Sequence, residues 1–343
     1  MAAEGPIAVD AMGGDGAPRV VIQGALEAVN HLGIPVLLAG PQRQLRRELG
    51  RFSFLPSGLE LVDAPDVVSM VDPPSTVLRT KRRSSLSVCA ELVHQGRATA
   101  MVTAGNTGAA WVAAKGALGM IEGVDRPALA AVVPKGDGQT LILDVGANVE
   151  CKPHQLVQFA VMGALYATAV LGVPEPRVGL MSVGEEESKG GPRARERNRV
   201  LKAAGVNFIG NVEGNDVFSS RVDVIVCDGF TGNVILKVAE GFGEMVVGML
   251  MDEARQSPMY GAGLLMAKGA FRNLRSKVDY AEYGGAPLLG VGGACLIGHG
   301  RSSAKAIRNA VRFAASYAGS GLIERIRDTV LDLAVSVDEG GEA

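Results

Sequence analysis

Asparagine and aspartate residues recur in glycine-rich loops that follow apolar, β-branched runs. Ile7-Ala8-Val9 leads into Asp10-Ala11-Met12-Gly13-Gly14-Asp15, and Ala100-Met101-Val102 into Thr103-Ala104-Gly105-Asn106-Thr107-Gly108. Leu141-Ile142-Leu143 leads into Asp144-Val145-Gly146-Ala147-Asn148, and Val224-Ile225-Val226-Cys227 into Asp228-Gly229-Phe230-Thr231-Gly232-Asn233. Glycine lets backbone N–H groups come close to a ligand, and a helix that starts there favours an anion. An amide such as Asn106 or Asn233 can donate to a phosphate oxygen or to a developing oxyanion. The same residue types also cap helices, and Gly13-Gly14 suits a tight turn. Lys189, in Gly184-Glu185-Glu186-Glu187-Ser188-Lys189-Gly190, could pair with phosphate or lie solvated in its loop. His299 is the one histidine of four placed in a glycine loop at a strand end.

Other chemistries find little support. Consecutive glutamates at 185–187 point in different directions, so no metal is expected. No G-x-S-x-G elbow, Walker A sequence or Rossmann fingerprint occurs, so neither a serine nucleophile nor a nucleotide cofactor is expected. Cys89, Cys151, Cys227 and Cys295 form no C-x-x-C pair and read as buried, reduced thiols.

These loops need a scaffold. Strand and helix patterns alternate nearly throughout, which predicts an α/β fold with a mostly parallel sheet and helices on both faces. Ligands of such folds bind outside the carboxyl ends of the strands, so the Asp10, Asn106, Asp144 and Asn233 loops are expected to share one cleft. Residues 128–133 and 141–143 flank Lys135-Gly136-Asp137-Gly138 and read as an antiparallel hairpin. One unit is expected over 1–337, with a disordered tail at 338–343. A helical hairpin broken at Ser257-Pro258 is expected to project over about 241–277.

The chain has 343 residues, 47% of them hydrophobic but only 4% aromatic, so small aliphatic side chains must fill the core. A net charge of −2 argues against nucleic acid. The N-terminus shows no secretory signal, and no run has the ~20 apolar residues of a membrane span. An acidic partner would need a local basic patch, for which Lys81-Arg82-Arg83 is the first candidate. The second half of the hairpin carries Leu264, Leu265 and Phe271 beside Lys268 and Arg272, a basic amphipathic pattern suited to a membrane surface or to a protein interface.

Taken together and in order, six stretches resemble the bacterial phosphate acyltransferase family. They are Asp10–Asp15, Thr103–Ala109, Leu143–Asn148, Gly184–Gly190, Asp228–Asn233 and Asp279–Gly290, within a likeness running from Ile7 to about Tyr317. The resemblance implies a three-layer α/β/α fold related to isopropylmalate dehydrogenases and phosphotransacetylases. It implies reversible acyl transfer from acyl-acyl-carrier-protein to inorganic phosphate, the first step toward phosphatidic acid. It also implies a cytoplasmic homodimer on the inner face of the membrane, near the downstream glycerol-3-phosphate acyltransferase. Lys189 and Asn233 carry over as catalytic. Asp10, Gly13, Gly14, Asp15, Gly105, Asn106, Thr107, Gly108, Asp144, Asn148, Gly232 and His299 are the expected phosphate and substrate contacts. Arg83 and Arg301 depart from the family pattern, standing where an acidic and a small residue are usual. The rival readings are a phosphotransacetylase-like enzyme using acyl-CoA, a divergent decarboxylating dehydrogenase, and a non-catalytic scaffold that binds acyl carrier.

Overall fold

The computed structural model describes residues 5–52, 55–136, 138–187, 189, 191–269 and 284–339. The first lobe opens with β1 (Ile7–Asp10), α1 (Arg19–Leu32), β2 (Val36–Gly40), α2 (Gln42–Leu49) and β3 (Leu59–Asp63). It continues with α3 (Thr76–Arg79), α4 (Ser85–His94), β4 (Ala100–Thr103) and α5 (Thr107–Leu118). The hairpin strands β5 (Ala128–Lys135) and β6 (Gly138–Leu143) follow. The second lobe holds α6 (Pro153–Ala169), β7 (Val178–Met181), α7 (Gly191–Lys202), β8 (Phe208–Val212), β9 (Val224–Val226), α8 (Gly229–Gln256) and α9 (Pro258–Met266). The chain then returns through β10 (Ala286–Leu289), β11 (Ala294–Ile297), α10 (Ala304–Ala318) and α11 (Leu322–Glu339).

All eleven strands join one sheet in the order β3-β2-β1-β4-β11-β10-β5-β6-β9-β7-β8. Strands β1, β4 and β9 are buried at every position, which is why their sequences read as unbroken apolar runs. The core fills both faces. Ile22, Phe159 and Tyr317 pack on one side, and Leu86, Met101 and Ile142 on the other.

The expected hairpin is present, with β5 and β6 antiparallel from Ala130↔Leu143 to Lys135↔Gly138. A second exception was not read from the sequence: β10 is antiparallel to both β11 and β5. Three antiparallel joins therefore separate two parallel blocks, β3-β2-β1-β4-β11 and β6-β9-β7-β8, so the blocks run in opposite directions. Loops of both blocks nonetheless line one cleft beside β5 and β10.

The helix starts are capped as the loop chemistry suggests. The side chains of Ser84, Asn106, Asp228 and Ser303 each accept a backbone N–H of the first turn. Helix α8 leaves the body of the protein, and every residue from 241 to 250 is exposed. The break falls at Ser257, as expected, and α9 ends at Met266. Phe271 and Arg272 lie outside the described residues. The last helix runs through Glu339, two residues into the stretch expected to be a tail. Among the described residues no helix is long and apolar enough to cross a membrane.

Candidate active site

A cleft of about 650 Å³ lies where the two lobes meet. Leu129, Ala131 and Ala286 of the antiparallel strands form part of its wall. Asp15, Gly105 and Thr107 line it from the first lobe, with Gly298, His299, Gly300 and Arg301 after β11. Gly146, Gly229, Phe230, Asn233, Lys237 and Glu240 line it from the second. Of the expected contacts, the structure brings Asp15, Gly105, Thr107, Asn233 and His299 together.

Asn233 sits in the first turn of α8, with Cβ and Oδ1 about 4.0 Å from where a Cβ on Gly146 would stand. Its side chain is exposed to the cleft and has no hydrogen-bond partner among the described residues. One turn along the helix, the Lys237 ammonium bonds the Glu240 carboxylate at 2.7 Å and lies 3.4 Å from His299 Nε2. His299 Nδ1 accepts the Arg301 backbone N–H at 3.1 Å, which assigns the ring proton to Nε2. Burial lowers the His299 pKa, and the neighbouring Lys237 lowers it further, so the neutral ring is favoured. With Nε2 protonated, the Lys237 ammonium and the His299 N–H are adjacent donors at the cleft wall, close enough for one anion to accept from both. The Arg301 guanidinium closes this side through an ion pair with Glu244 at 3.1 Å.

Several expected phosphate contacts have a different role. Asp10 is buried, and its carboxylate accepts the Thr103 hydroxyl at 2.7 Å and the Met12 N–H at 3.1 Å. Burial raises its pKa against these bonds. It braces the β1 and β4 loops against each other. Gly13 makes that contact possible, because a Cβ there would lie 2.6 Å from the Gly105 nitrogen. Gly14 takes φ +98° beside the Gly300 carbonyl, and the Asp15 N–H donates to that carbonyl at 2.8 Å.

Asp144 is likewise buried and fully engaged. Its Oδ1 accepts from the N–H groups of Leu129, Gly146 and Ala147, and its Oδ2 from the backbone and side-chain amides of Asn148. Asn148 Nδ2 also donates to the Pro127 carbonyl at 2.7 Å. Asn106 caps α5 through Oδ1, while its Nδ2 donates to the carbonyls of Met70 and Asp72. Gly108 lines a smaller recess beside the cleft. Gly232 lets α8 approach the Asp144 loop, since a Cβ would fall 1.9 Å from the Asp144 carbonyl oxygen. Direct contact with phosphate therefore does not fit the side chains of Asp10, Asn106, Asp144 or Asn148. They hold the loops that other residues use.

Lys189 is exposed on the loop after β7, outside the residues that line the cleft, and its ammonium is 3.9 Å from Glu186. Strands β7 and β9 are parallel neighbours, so this loop and the start of α8 leave the sheet at the same rim. Lys237 was not singled out from the sequence, although its i, i+4 spacing from Asn233 puts both on one helix face.

The proposed basic patch is partly neutralised. Lys81 bonds Asp72 at 2.6 Å, Arg83 reaches Asp63 at 3.4 Å, and Arg82 Nε donates to the Leu78 carbonyl. On the hairpin, Leu265 and Lys268 are exposed, as are Phe242, Met245 and Met249 of α8. All four cysteines are buried and free. Burial pushes the Cys151 and Cys295 thiols up to about 12, and those of Cys89 and Cys227 well above their ordinary value, so none is poised as a nucleophile. Among the described residues no cluster of His, Cys, Asp and Glu is arranged to hold a metal ion.

Comparison with known proteins agrees with this picture. The family described as "Fatty acid synthesis protein" matches residues 6–325. A phosphate acyltransferase of Geotalea uraniireducens is 49% identical over 322 residues, covering 94% of this chain and 93% of that protein. One of Trichlorobacter lovleyi is also 49% identical, over 324 residues with the same coverage. Among solved structures, a phosphotransacetylase from Streptococcus pyogenes superposes with a TM-score of 0.64 at 14% identity, covering 92% of this chain and 94% of that one. A 4-hydroxythreonine-4-phosphate dehydrogenase from Klebsiella pneumoniae gives 0.54 at 15% identity, covering 92% and 100%. At these identities the two structures speak for a shared fold only. With nearly its whole length matched by the family and 49% of the aligned residues shared with curated relatives, the chain belongs to the fatty acid synthesis protein family.

Proposed function

We propose that the protein transfers an acyl group from the thioester of an acyl carrier protein to inorganic phosphate, releasing acyl-phosphate and a free thiol. Relatives named phosphate acyltransferase support the reaction class. The observation that carries the reading is the convergence in one cleft of the unpartnered Asn233 amide with the adjacent N–H donors of Lys237 and His299. That set suits an anion held beside a polarised carbonyl.

Phosphate is its own nucleophile, so no nucleophilic side chain is required. An oxygen of HPO4²⁻ attacks the thioester carbon, and the carbonyl electrons move onto oxygen, where Asn233 donates. Collapse of the tetrahedral intermediate breaks the C–S bond. The thiolate leaves and takes up the proton that the phosphate gives up, so the reaction balances as thioester plus HPO4²⁻ to acyl-phosphate dianion plus thiol. Lys237 and the His299 Nε2–H hold the phosphate, with its approach to the carbonyl fixed by the braced glycine loops. Lys189 is assigned the outer phosphate contact. It stands on the same rim as Asn233, and its weak pairing with Glu186 leaves the ammonium available to a dianion. The acyl chain follows the exposed apolar residues of the cleft, Met70, Val149 and Phe230.

The broad exposed apolar face of α8 and α9 supports a second copy of the chain and a membrane surface as its partners, in keeping with delivery of a lipid precursor. On this reading the protein works at the inner face of the cell membrane, early in phospholipid synthesis, and hands its product to a membrane acyltransferase.

The test is direct. Purified protein is given palmitoyl-carrier protein with and without phosphate, and free thiol is followed. Phosphate-dependent release with acyl-phosphate formed in equal amount is expected. Binding of the carrier without thiol release supports the scaffold reading instead, and release only from acyl-CoA supports the phosphotransacetylase-like one.

A further inference from the structure

Helix α7 carries an alternating run, Arg193, Arg195, Arg197 and Arg199, and ends in Lys202, with Glu196 as its single carboxylate. In a chain of net charge −2 this is a concentrated positive surface. The four arginines make no ion pair and no side-chain hydrogen bond among the described residues, and Arg193, Arg195 and Arg199 are exposed. The acids of the preceding loop are engaged elsewhere. Glu185 pairs with Arg221, Glu187 with Lys202, and Glu186 is 3.9 Å from Lys189.

This arrangement works against the helix itself. Arg193 lies in the first turn, where a cation opposes the helix dipole. Arg193 and Arg197 stand four residues apart, as do Arg195 and Arg199, a spacing at which like charges repel. An anionic partner relieves both. The inner face is fixed, because Asn198 and Leu201 are buried and Asn198 Nδ2 donates to Asn211 Oδ1 on β8 at 2.9 Å. The arginines therefore stand on a moored platform.

That platform adjoins the cleft. Helix α7 follows the loop after β7, which leaves the sheet at the same rim as the start of α8. Arg197 and Asp228, the N-cap of α8, both act electrostatically on the Cys151 thiol, so α7 lies beside the base of the helix that carries Asn233.

A membrane surface would call for apolar side chains to bury, and α7 exposes no large one: Val200 is half-buried and Leu201 buried. The exposed apolar face lies on α8 and α9 instead. A folded protein rich in carboxylates fits the arginine rows, because a guanidinium takes a carboxylate in a planar fork. An acyl carrier protein, with its excess of acidic residues, is a partner of that kind. The Lys81-Arg82-Arg83 patch is the weaker rival, since its side chains already pair with Asp72, Asp63 and the Leu78 carbonyl.

We propose that the outward arginines of α7 dock the acidic carrier protein that delivers the acyl thioester, holding it at the mouth of the cleft. The inference rests on the acyl-transfer reading of that cleft. It adds the surface that tells a carrier-bound donor from a small thioester.

For the test, Arg193, Arg195 and Arg199 are replaced together by alanine, which favours a helix. Binding of labelled holo-carrier protein is followed by fluorescence anisotropy at low and high salt. The variant should bind the carrier about tenfold more weakly at low salt, as three exposed ion pairs of ordinary strength together allow. The difference should shrink at high salt. In turnover KM for palmitoyl-carrier protein should rise by about the same factor, while kcat, KM for phosphate and KM for palmitoyl-pantetheine stay unchanged. Alanine at Lys81, Arg82 and Arg83 should weaken carrier binding less.

Unaltered carrier affinity in the folded α7 variant overturns the proposal. So does an equal loss with palmitoyl-pantetheine, which would make α7 a support of the site, a loss confined to anionic liposomes, or a larger effect from the 81–83 variant. Carrier binding is measured without turnover, so its failure is distinct from failure of the acyl-transfer reading, which shows as absent thiol release by the unaltered protein.

Discussion

Gly232→Ala tests whether the Asp144 loop sets the position of the Asn233 amide, to which the proposed reaction assigns the oxyanion. A Cβ at residue 232 would lie 1.9 Å from the Asp144 carbonyl oxygen and 3.0 Å from Cys227 Sγ. That carbonyl belongs to a buried residue whose side chain accepts five N–H bonds, so it cannot retreat cheaply. The first turn of α8 must move instead. Bringing the contact out to about 3 Å requires a shift of at least about 1 Å, and Asn233 is the next residue. A 1 Å misplacement of a catalytic group can cost on the order of 10²-fold in rate. Forced overpacking of a close contact costs about 1–3 kcal/mol of stability. The expected outcome is a fall in kcat of about 10²-fold, with a cooperative thermal transition retained at a modestly lower Tm. Phosphate-dependent thiol release and a circular dichroism melt measure the two effects. Normal kcat in a folded Gly232→Ala protein would refute the claim that this contact positions Asn233.

Further expectations concern charge and surface. Lys237→Ala should raise KM for phosphate more than Lys189→Ala does, because Lys237 lines the cleft and Lys189 lies outside its lining; steady-state kinetics with varied phosphate check the ranking, and the reverse order would return the primary contact to Lys189. Burial would raise the Asp223 carboxyl, but bonds from Arg177 and Lys135 outweigh it and hold the folded-state pKa below the ordinary value. Its stabilising effect is then complete above the unfolded carboxyl pKa of about 3.9 and is lost as pH falls through the folded value. Asp223→Asn should cost about 3 kcal/mol near neutral pH and reduce the drop in urea midpoint between pH 5 and pH 2.5. Leu265→Glu should weaken co-sedimentation with anionic liposomes while sparing activity on a soluble donor; unchanged sedimentation would assign the exposed stripe to protein packing.

The scaffold was legible where local chemistry and fold agree. Buried strands such as Ile7–Asp10 and Ala100–Thr103 announce themselves by unbroken apolar runs, and the hairpin at 128–143 by its glycine turn. Strand Ala286–Leu289 was not legible: it is four residues long, contains Pro287, and lies between its near neighbour β11 and β5, which is far away in sequence. Within the site, residue type indicated which loops matter but not which side chains face the ligand. Asp10 and Asp144 look like ligand contacts because carboxylates in glycine loops serve both purposes. Only burial and five converging N–H groups identify Asp144 as a brace. Lys237 escaped notice because a lone lysine on a long amphipathic helix reads as solvated until its face is known to line the cleft. Asn233 and His299 do line the cleft, as their glycine neighbours after strands suggest, although sequence alone leaves Asn233 equally readable as a helix cap.

The central claim is that this cleft moves an acyl group from a thioester to phosphate using the Asn233 amide. The most direct measurement is single-turnover thiol release from palmitoyl-carrier protein at saturating phosphate, for the unaltered protein and for Asn233→Ala. Loss of one oxyanion donor costs about 10²–10³-fold in the chemical step, so that fall is expected, with acyl-phosphate matching thiol one to one and binding of phosphate little changed. Equal rates for the two proteins would contradict the account.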